Sequence, residues 1–289
     1  MRNNRFERLF SAKRRVTNVV AIAAAIAATI VVIAPLIAIF AYLVIKGASS
    51  INWAFLTKAP VPIGETGGGM GNAIAGSIMI LLMASAIGVP LGVGGGIYLA
   101  EYGRGKFATF VRFIADVLNG VPSIVMGIAI YGLVVLQQRH FSAFAGSVAL
   151  GVMMIPIVSR TTEEMLLMVP RSVREAAYGI GIPEWRVALS VTLRTAAPGV
   201  ITGIMLAFAR VAGETAPLLF TAFGNDFWSW NLNQPVAALP LQIYNYAISP
   251  YDEWHRLAWA GALVLIVMIV GTIAVVRLVA GRGMMKGAA

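Results

Sequence analysis

Apolar runs long enough to cross a bilayer recur along this chain. Crossing about 30 Å of hydrocarbon takes roughly 20 helical residues. Six stretches meet or approach that length: Val19–Ile45, Asn72–Ala100, about Phe113–Leu136, about Phe141–Val158, about Ala196–Phe223, and Leu257–Val276. The pattern predicts an all-α polytopic membrane protein with six transmembrane helices. It divides the chain into a polar N-terminus at 1–18, a first helix at 19–45, an outer loop at 46–71, a main membrane domain at 72–280 and a tail at 281–289. Within the main domain an inner loop at 170–195 and an outer loop at 224–256 stand out. Pro90 and Pro122 fall inside two of the spans and are expected to kink or interrupt them, since a proline frees a backbone carbonyl.

The inner loop carries helix punctuation. Ser172 with Glu175 three residues later forms a capping box, which predicts a helix starting at Val173. Gly181 is placed to stop it, and Pro183 suits the first position of a second helix running through Glu184 and Trp185 to about Leu193. Two readings stand for this hairpin: a pair of helices lying on the membrane surface, or a docking element for another protein. Ala176 and Ala177 favour docking, because small residues beside charged ones permit close approach of a partner backbone.

Composition agrees with the span pattern and excludes several classes of function. The chain has 289 residues, 59% hydrophobic and 12% charged, and a mean hydropathy of +0.82, outside the range of soluble domains. The net charge of +10 raises the possibility of a nucleic-acid surface, but the basic residues track the loops. With the N-terminus inside, 17 Lys/Arg lie on the inner side and 4 on the outer, and Arg210 lies within a span. By the positive-inside rule both termini are expected in the cytoplasm, with no nucleic-acid footprint on one soluble face. The 27 residues of Val19–Ile45 exceed the apolar core of about 7–15 residues of a secretory signal, so an uncleaved first helix is expected. Without cysteine there is no disulfide or thiolate metal site, and His140 and His255, in different outer loops, are expected at the interface rather than on a metal. "GETGGGMG" lacks a following Gly-Lys-Ser/Thr, so no Walker A phosphate loop is present.

Two charges inside a span need a cause. Arg at mid-membrane costs about 2.5–3.5 kcal/mol on the insertion scale, so Arg210 and Glu214 must face protein or water. Four residues apart, they are expected on one helix face, either as an ion pair joining helices or as part of a translocation pathway with the adjacent Thr215. Asp116, four residues after Arg112, is expected to form a local surface pair with it. Gly88, Gly92, Gly94, Gly95 and Gly96 suit close helix packing. Trp228, Trp230, Tyr244, Tyr246 and Trp254 suit an interfacial belt.

"EAAYGIG", Glu175 to Gly181, followed by Val191-Thr192-Leu193, resembles the EAA loop of type I ABC importer permeases. "IGVPLGVGGGIYLAEY", "LNGVPSIVMGIAIYG", "GGGMGNAIAGSI" and above all "ARVAGETAPLLFTAF" resemble the phosphate-specific permeases of PstA type, over most of Gly67 to about Ile248. The resemblance implies that Arg174, Glu175, Ala176, Ala177 and Gly181 belong to coupling helices, between spans four and five, that dock on a cytoplasmic ATPase. It associates Arg210 and Glu214 with phosphate transport. It implies as partners a homologous PstC-type permease, an ATPase dimer and a periplasmic phosphate-binding protein in the bacterial inner membrane. ATP and Mg would sit on the ATPase, with no cofactor, metal or catalytic residue on this chain. One departure is Arg194 where the family has proline, which leaves the exit of the second coupling helix open. The alternatives are a permease for another oxyanion such as molybdate or sulfate, and a secondary transporter or channel. A secondary carrier would be expected to show inverted repeats, and none is convincing here.

Overall fold

The structure is a computed structural model that describes residues 3–65 and 67–285, with side chains described from residue 14 to 280 outside position 66. Its helices in chain order are α1 (Asn3–Gly47), α2 (Trp53–Thr57), α3 (Gly71–Ile97), α4 (Gly105–Gly120), α5 (Ser123–Ile130), α6 (Leu136–Gln138), α7 (Ala143–Leu167), α8 (Arg171–Gly179), α9 (Glu184–Arg186), α10 (Leu193–Ala212), α11 (Ala216–Leu219), α12 (Leu239–Ala247) and α13 (Asp252–Met285). Three π-helical segments, Tyr98–Tyr102, Tyr131–Val135 and Val187–Thr192, continue or join them.

Among the described residues, five helical stretches are long and apolar enough to cross a membrane: Arg14–Ser50, Gly71–Tyr102, Ala143–Leu167, Glu184–Ala212 and Asp252–Ala280. The expected third span is a pair, Gly105–Gly120 and Ser123–Gln138, bent by 106°. Counting the pair as one crossing gives the six expected. The break falls at Val121-Pro122, where Pro122 takes the N-cap position of α5, as a proline that cannot donate into the preceding turn should. Pro90, by contrast, lies inside an unbroken α3.

Packing centres on α3 and α7. Gly88, Gly92 and Gly96 recur every fourth residue along α3 and form one ridge. A Cβ added to Gly88 would lie 2.7 Å from the Gly151 carbonyl oxygen, one on Gly92 2.6 Å from the Val158 Cβ, and one on Gly96 2.5 Å from the Thr162 Cβ. These three glycines therefore let the two backbones touch, the small-residue solution that membrane helices use. Gly94 faces open space and Gly95 only approaches the Ser159 hydroxyl, so the packing role expected of all five belongs chiefly to this ridge.

Buried Ile80, Leu81, Ala84, Leu150, Met154, Val158, Ala207, Val211 and Leu218 fill the centre between α3, α7, α10 and α11. A second cluster at the outer end gathers Phe55, Met70, Ala73, Leu239, Tyr246 and Ala260. The outer connection is built into the bundle: Ser142, Ala143 and Phe144 donate their backbone N–H groups to the carbonyls of Thr221 (3.0 Å), Gln234 (2.9 Å) and Leu232 (2.8 Å). Those are orphan donors at the start of α7, and the loop satisfies them. The same loop, expected at 224–256, contains α12. The Leu239 N–H donates to the Ser77 hydroxyl on α3 at 2.7 Å, fixing the helix start. Tyr246, expected in an interfacial belt, is buried and stacks on Trp254 with centroids 4.7 Å apart, while Trp230 remains 70% exposed.

α1 stands apart. Its apolar span is exposed around its whole circumference and meets the bundle at the outer end, where Leu43 is buried, Tyr42 packs edge-on against Trp259 and Gly47 abuts the Trp259 carbonyl.

The seam generates a paired expectation. Gly92→Ala places a methyl into Val158, and overpacking of this kind costs about 1–3 kcal/mol. Gly94→Ala fills open space and improves helix propensity by about 0.5–1 kcal/mol. Thermal unfolding of the purified protein should therefore fall by several degrees for the first variant and hold or rise for the second. Equal melting of the two variants would contradict the seam.

Candidate functional site

Two charged layers stand out, one at the C-terminal end of α10 and one, the inner layer, on the side of the EAA-like segment. The first is carried by α10. Its buried face presents Ala196, Val200, Gly203, Ala207 and Val211 to the core. Its exposed face carries Thr195, Pro198, Thr202, Leu206 and Arg210. For a span, that outward face is short of large apolar residues, unlike α13, which exposes Val267, Val270, Val275, Leu278 and Val279.

Arg210 lies in the last turn of α10, where a cation opposes the partial negative charge of the terminal carbonyls. The helix stops at Ala212. Gly213, Glu214 and Thr215 form a break, and α11 restarts at Ala216 with Pro217 in its first turn, the position where proline lacks no needed donor. The expectation that Arg210 and Glu214 share a helix face is therefore corrected. The break takes Glu214 off the helical row, leaving it half-buried beside half-buried Thr215, while Arg210 is exposed. Among the described residues neither charged side chain forms an ion pair, so the ion-pair reading does not hold in this chain. The break is packed rather than loose. Gly127 on α5 lies against Pro217, whose Cα would be 2.7 Å from an added Cβ. Thus α5, which starts at the α4–α5 bend, packs on the segment that follows the α10 break. Interrupted helices of this kind are tolerated at membrane depth only where protein or a water-filled cavity covers them.

The inner layer contains the EAA-like segment. α8 starts at Arg171 with Pro170 at its N-cap and no side-chain cap, so the predicted capping box does not form: Pro170 already fixes the turn, and the Val173 N–H bonds the Pro170 carbonyl at 3.2 Å. Gly181 does end the helix, with φ +79° in the left-handed region that glycine adopts freely. Pro183 is the N-cap of α9 rather than its first residue. The second helix does not stop near Leu193. α9, the π segment Val187–Thr192 and α10 follow one another without a break from Glu184 to Ala212. Arg194, in place of proline, lies in the first turn of α10 and is exposed, with Pro198 one turn on inside the helix. The second half of the inner loop is thus continuous with the helix that carries Arg210.

The coupling-loop residues divide by direction. Glu175, Ala176, Tyr178 and Ile180 face outward, whereas Ala177 is buried. Ala177 owes its smallness to packing within the chain, and the close-approach argument passes to Ala176 alone. Arg174 also turns inward. Its Nη2 donates to Glu101 Oε1 at 3.1 Å and to the Leu166 carbonyl at 2.7 Å. The expected Arg112–Asp116 pair is replaced by contacts between helices. Arg112 Nε binds Glu163 Oε1 on α7, Arg160 Nη1 binds Glu163 Oε2 at 2.7 Å, and Arg160 Nε meets Asp116 at 3.1 Å. Sequence reasoning missed Glu101, Arg160 and Glu163: Glu101 and Arg174 meet from different helices, as do Glu163 and Arg112, whereas the Arg160–Glu163 pair is three residues apart on α7 and was open to local spacing. The available signal was Glu163, a carboxylate at the end of an apolar run.

Among the described residues no group of three or more His, Cys, Asp or Glu is placed to hold a metal. In "GETGGGMG", Gly68 and Gly69 serve packing, since added Cβ atoms would meet Val61 and the Ala54–Phe55 backbone, while Gly64 and Gly67 take positive φ.

Comparison with known proteins agrees with this architecture. Residues 92–282 match the family model described as binding-protein-dependent transport system inner membrane component. The chain is 51% identical over 223 residues to the phosphate transport system permease protein PstA of Yersinia pestis, covering 77% of this chain and 76% of that one. It is 36% identical over 274 residues to PstA of Mycobacterium leprae, covering 91% and 88%. In fold it resembles a chain of the inward-facing MetNI methionine ABC transporter, with a TM-score of 0.53 at 18% identity, covering 75% of this chain and 93% of that one. The family model over residues 92–282 and relatives 36–51% identical over most of the chain mean that this chain belongs to the binding-protein-dependent transport system inner membrane components, and within them to the PstA-type permeases.

Proposed function

We propose that this chain is one membrane-spanning subunit of an ATP-driven importer of inorganic phosphate, working by alternating access with a second, PstC-type permease. In this reading two ATPase subunits supply the energy with their own ATP and Mg, and a periplasmic phosphate-binding protein delivers the substrate. The chain itself carries no catalytic group and no cofactor, and both of its termini lie in the cytoplasm. The observation that carries the reading is Arg210: a cation in the last turn of a membrane-length helix, exposed and, among the described residues, without a side-chain partner, beside a helix break. An always-charged guanidinium offers a planar fork of donors that fits an oxyanion bidentately. In the assembled importer Arg210 would hold phosphate transiently, with the Thr215 hydroxyl as a further donor. Glu214 would oppose deep trapping, since transport needs binding weak enough for release. Near neutral pH phosphate still carries a P–OH proton that a carboxylate can accept, whereas sulfate carries none, so Glu214 would also favour phosphate.

On this account Arg210→Gln abolishes uptake by the assembled complex, Arg210→Lys restores little because a point charge replaces the fork, and Glu214→Gln lowers uptake and admits sulfate. Labelled-phosphate uptake with the subunits quantified checks this. Near-normal transport by an assembled Arg210→Gln complex would remove the pathway role.

Docking of the ATPase is assigned to the outward face of α8. Replacing Ala176 with glutamate should reduce ATPase copurification and uptake while the chain still inserts. Full copurification would move the docking surface elsewhere.

Orientation has its own check. A cysteine at Met168, 74% exposed at the inner end of α7, should be protected from an impermeant thiol reagent in intact cells. One at exposed Asn231 should be labelled. Labelling at Met168 from outside would invert the topology.

A further inference from the structure

The inner charged layer does more than neutralise charges near the membrane surface. The α8 residue Arg174 holds two other elements with one guanidinium: Glu101, in the π segment that continues α3, and the Leu166 carbonyl on α7. The side chain of Glu101 is only 6% exposed and that of Arg174 16%. Two residues before Glu101, the Leu99 carbonyl accepts from Arg112 Nη2 at 2.9 Å, and Arg112 on α4 reaches the Glu163 carboxylate on α7. That carboxylate, 3% exposed, is shared with Arg160, which returns to Asp116 on α4. The links run without a gap from α8 to the end of α3, to α4 and to α7. α4 is gripped one helical turn apart, at Arg112 and Asp116. Its far end is the bend at Val121-Pro122, and beyond it α5 packs on the segment that follows Arg210.

A buried ion pair is a poor source of stability, because well-packed apolar residues of the same volume do as well or better. What it provides is a defined geometry, since removing the partners of Glu101 or Glu163 leaves an uncompensated buried carboxylate. We infer that Glu101 and Glu163 are positioning residues for transport, holding α8, α3, α4 and α7 as one lever so that displacement of α8 by the ATPase reaches the α4–α5 bend and the Arg210 break. The inference rests on the reading that α8 docks on the ATPase.

The test is made on the complete importer in proteoliposomes, measuring phosphate moved per ATP hydrolysed. Glu101→Gln and Glu163→Gln should each assemble and hydrolyse ATP in response to loaded binding protein. Each should move less phosphate per ATP by about tenfold or more, the scale of a coupling free energy. The double variant should be little worse than either single one, because both interrupt the same chain of contacts. The charge exchange Glu101→Arg with Arg174→Glu should recover part of the loss. A purely structural role would lower assembly, hydrolysis and uptake together and leave the ratio unchanged. An unchanged ratio in assembled Glu101→Gln overturns the inference. Should that variant fail to assemble, Arg174→Lys decides: it keeps the charge but cannot hold both partners, and a wild-type ratio there also overturns it. A separate arm places a cysteine at Ala176 and cross-links it to the ATPase in otherwise unaltered protein. No cross-link defeats the docking reading, whereas a cross-link together with an unchanged ratio defeats only the lever.

Discussion

The rest of the molecule depends on how closely α3 and α7 approach. In a bilayer, lipid tails are as apolar as leucine, so burying apolar surface does not bring helices together, and close fit and polar contacts must do it. The ridge of Gly88, Gly92 and Gly96 supplies that fit. Once α7 is fixed against α3, it becomes the post to which the other elements attach. α10 lays its small buried face on it. The outer loop satisfies its first two backbone donors, and its other end presents Arg160 and Glu163 to α4. A methyl group in the seam would shift every one of these contacts.

What was legible in the sequence is what one dimension can encode. Crossings announce themselves by apolar length, and the position of Arg210 and the EAA-like segment were visible as charges and small residues out of place. Gly181 and Pro122 acted as their backbone chemistry requires. Several misses share a cause. Whether Arg112 pairs with Asp116 or with Glu163 depends on a helix 51 residues away, and local spacing cannot rank a neighbour on the same helix against one on another. The same holds for Ala177, whose burial depends on what lies beneath α8, and for Tyr246, drawn from the expected interface into a stack with Trp254. The capping box failed for a local reason: Pro170 had already set the start of the helix. The Gly213–Thr215 break was not anticipated, although Gly213 followed by Pro217 is a recognisable signal for the end of one helix and the start of another.

These corrections sharpen the functional picture. An Arg210–Glu214 ion pair on a continuous helix would have been compatible with glue between spans. A lone guanidinium on the exposed side of a span, next to an interrupted backbone, calls for a counter-charge from outside the chain. The continuous helical run Glu184–Ala212 starts three residues after Gly181 ends the EAA-like segment and carries that guanidinium in its last turn.

The central claim, that the assembled protein imports phosphate through a path lined by this chain, is tested most directly by ATP-dependent uptake of labelled phosphate into proteoliposomes containing the wild-type complex, with excess sulfate or molybdate as competitor. The account predicts uptake that requires ATP and binding protein and persists in the presence of either competitor. Uptake independent of ATP, or equal displacement of phosphate by sulfate or molybdate, would contradict it.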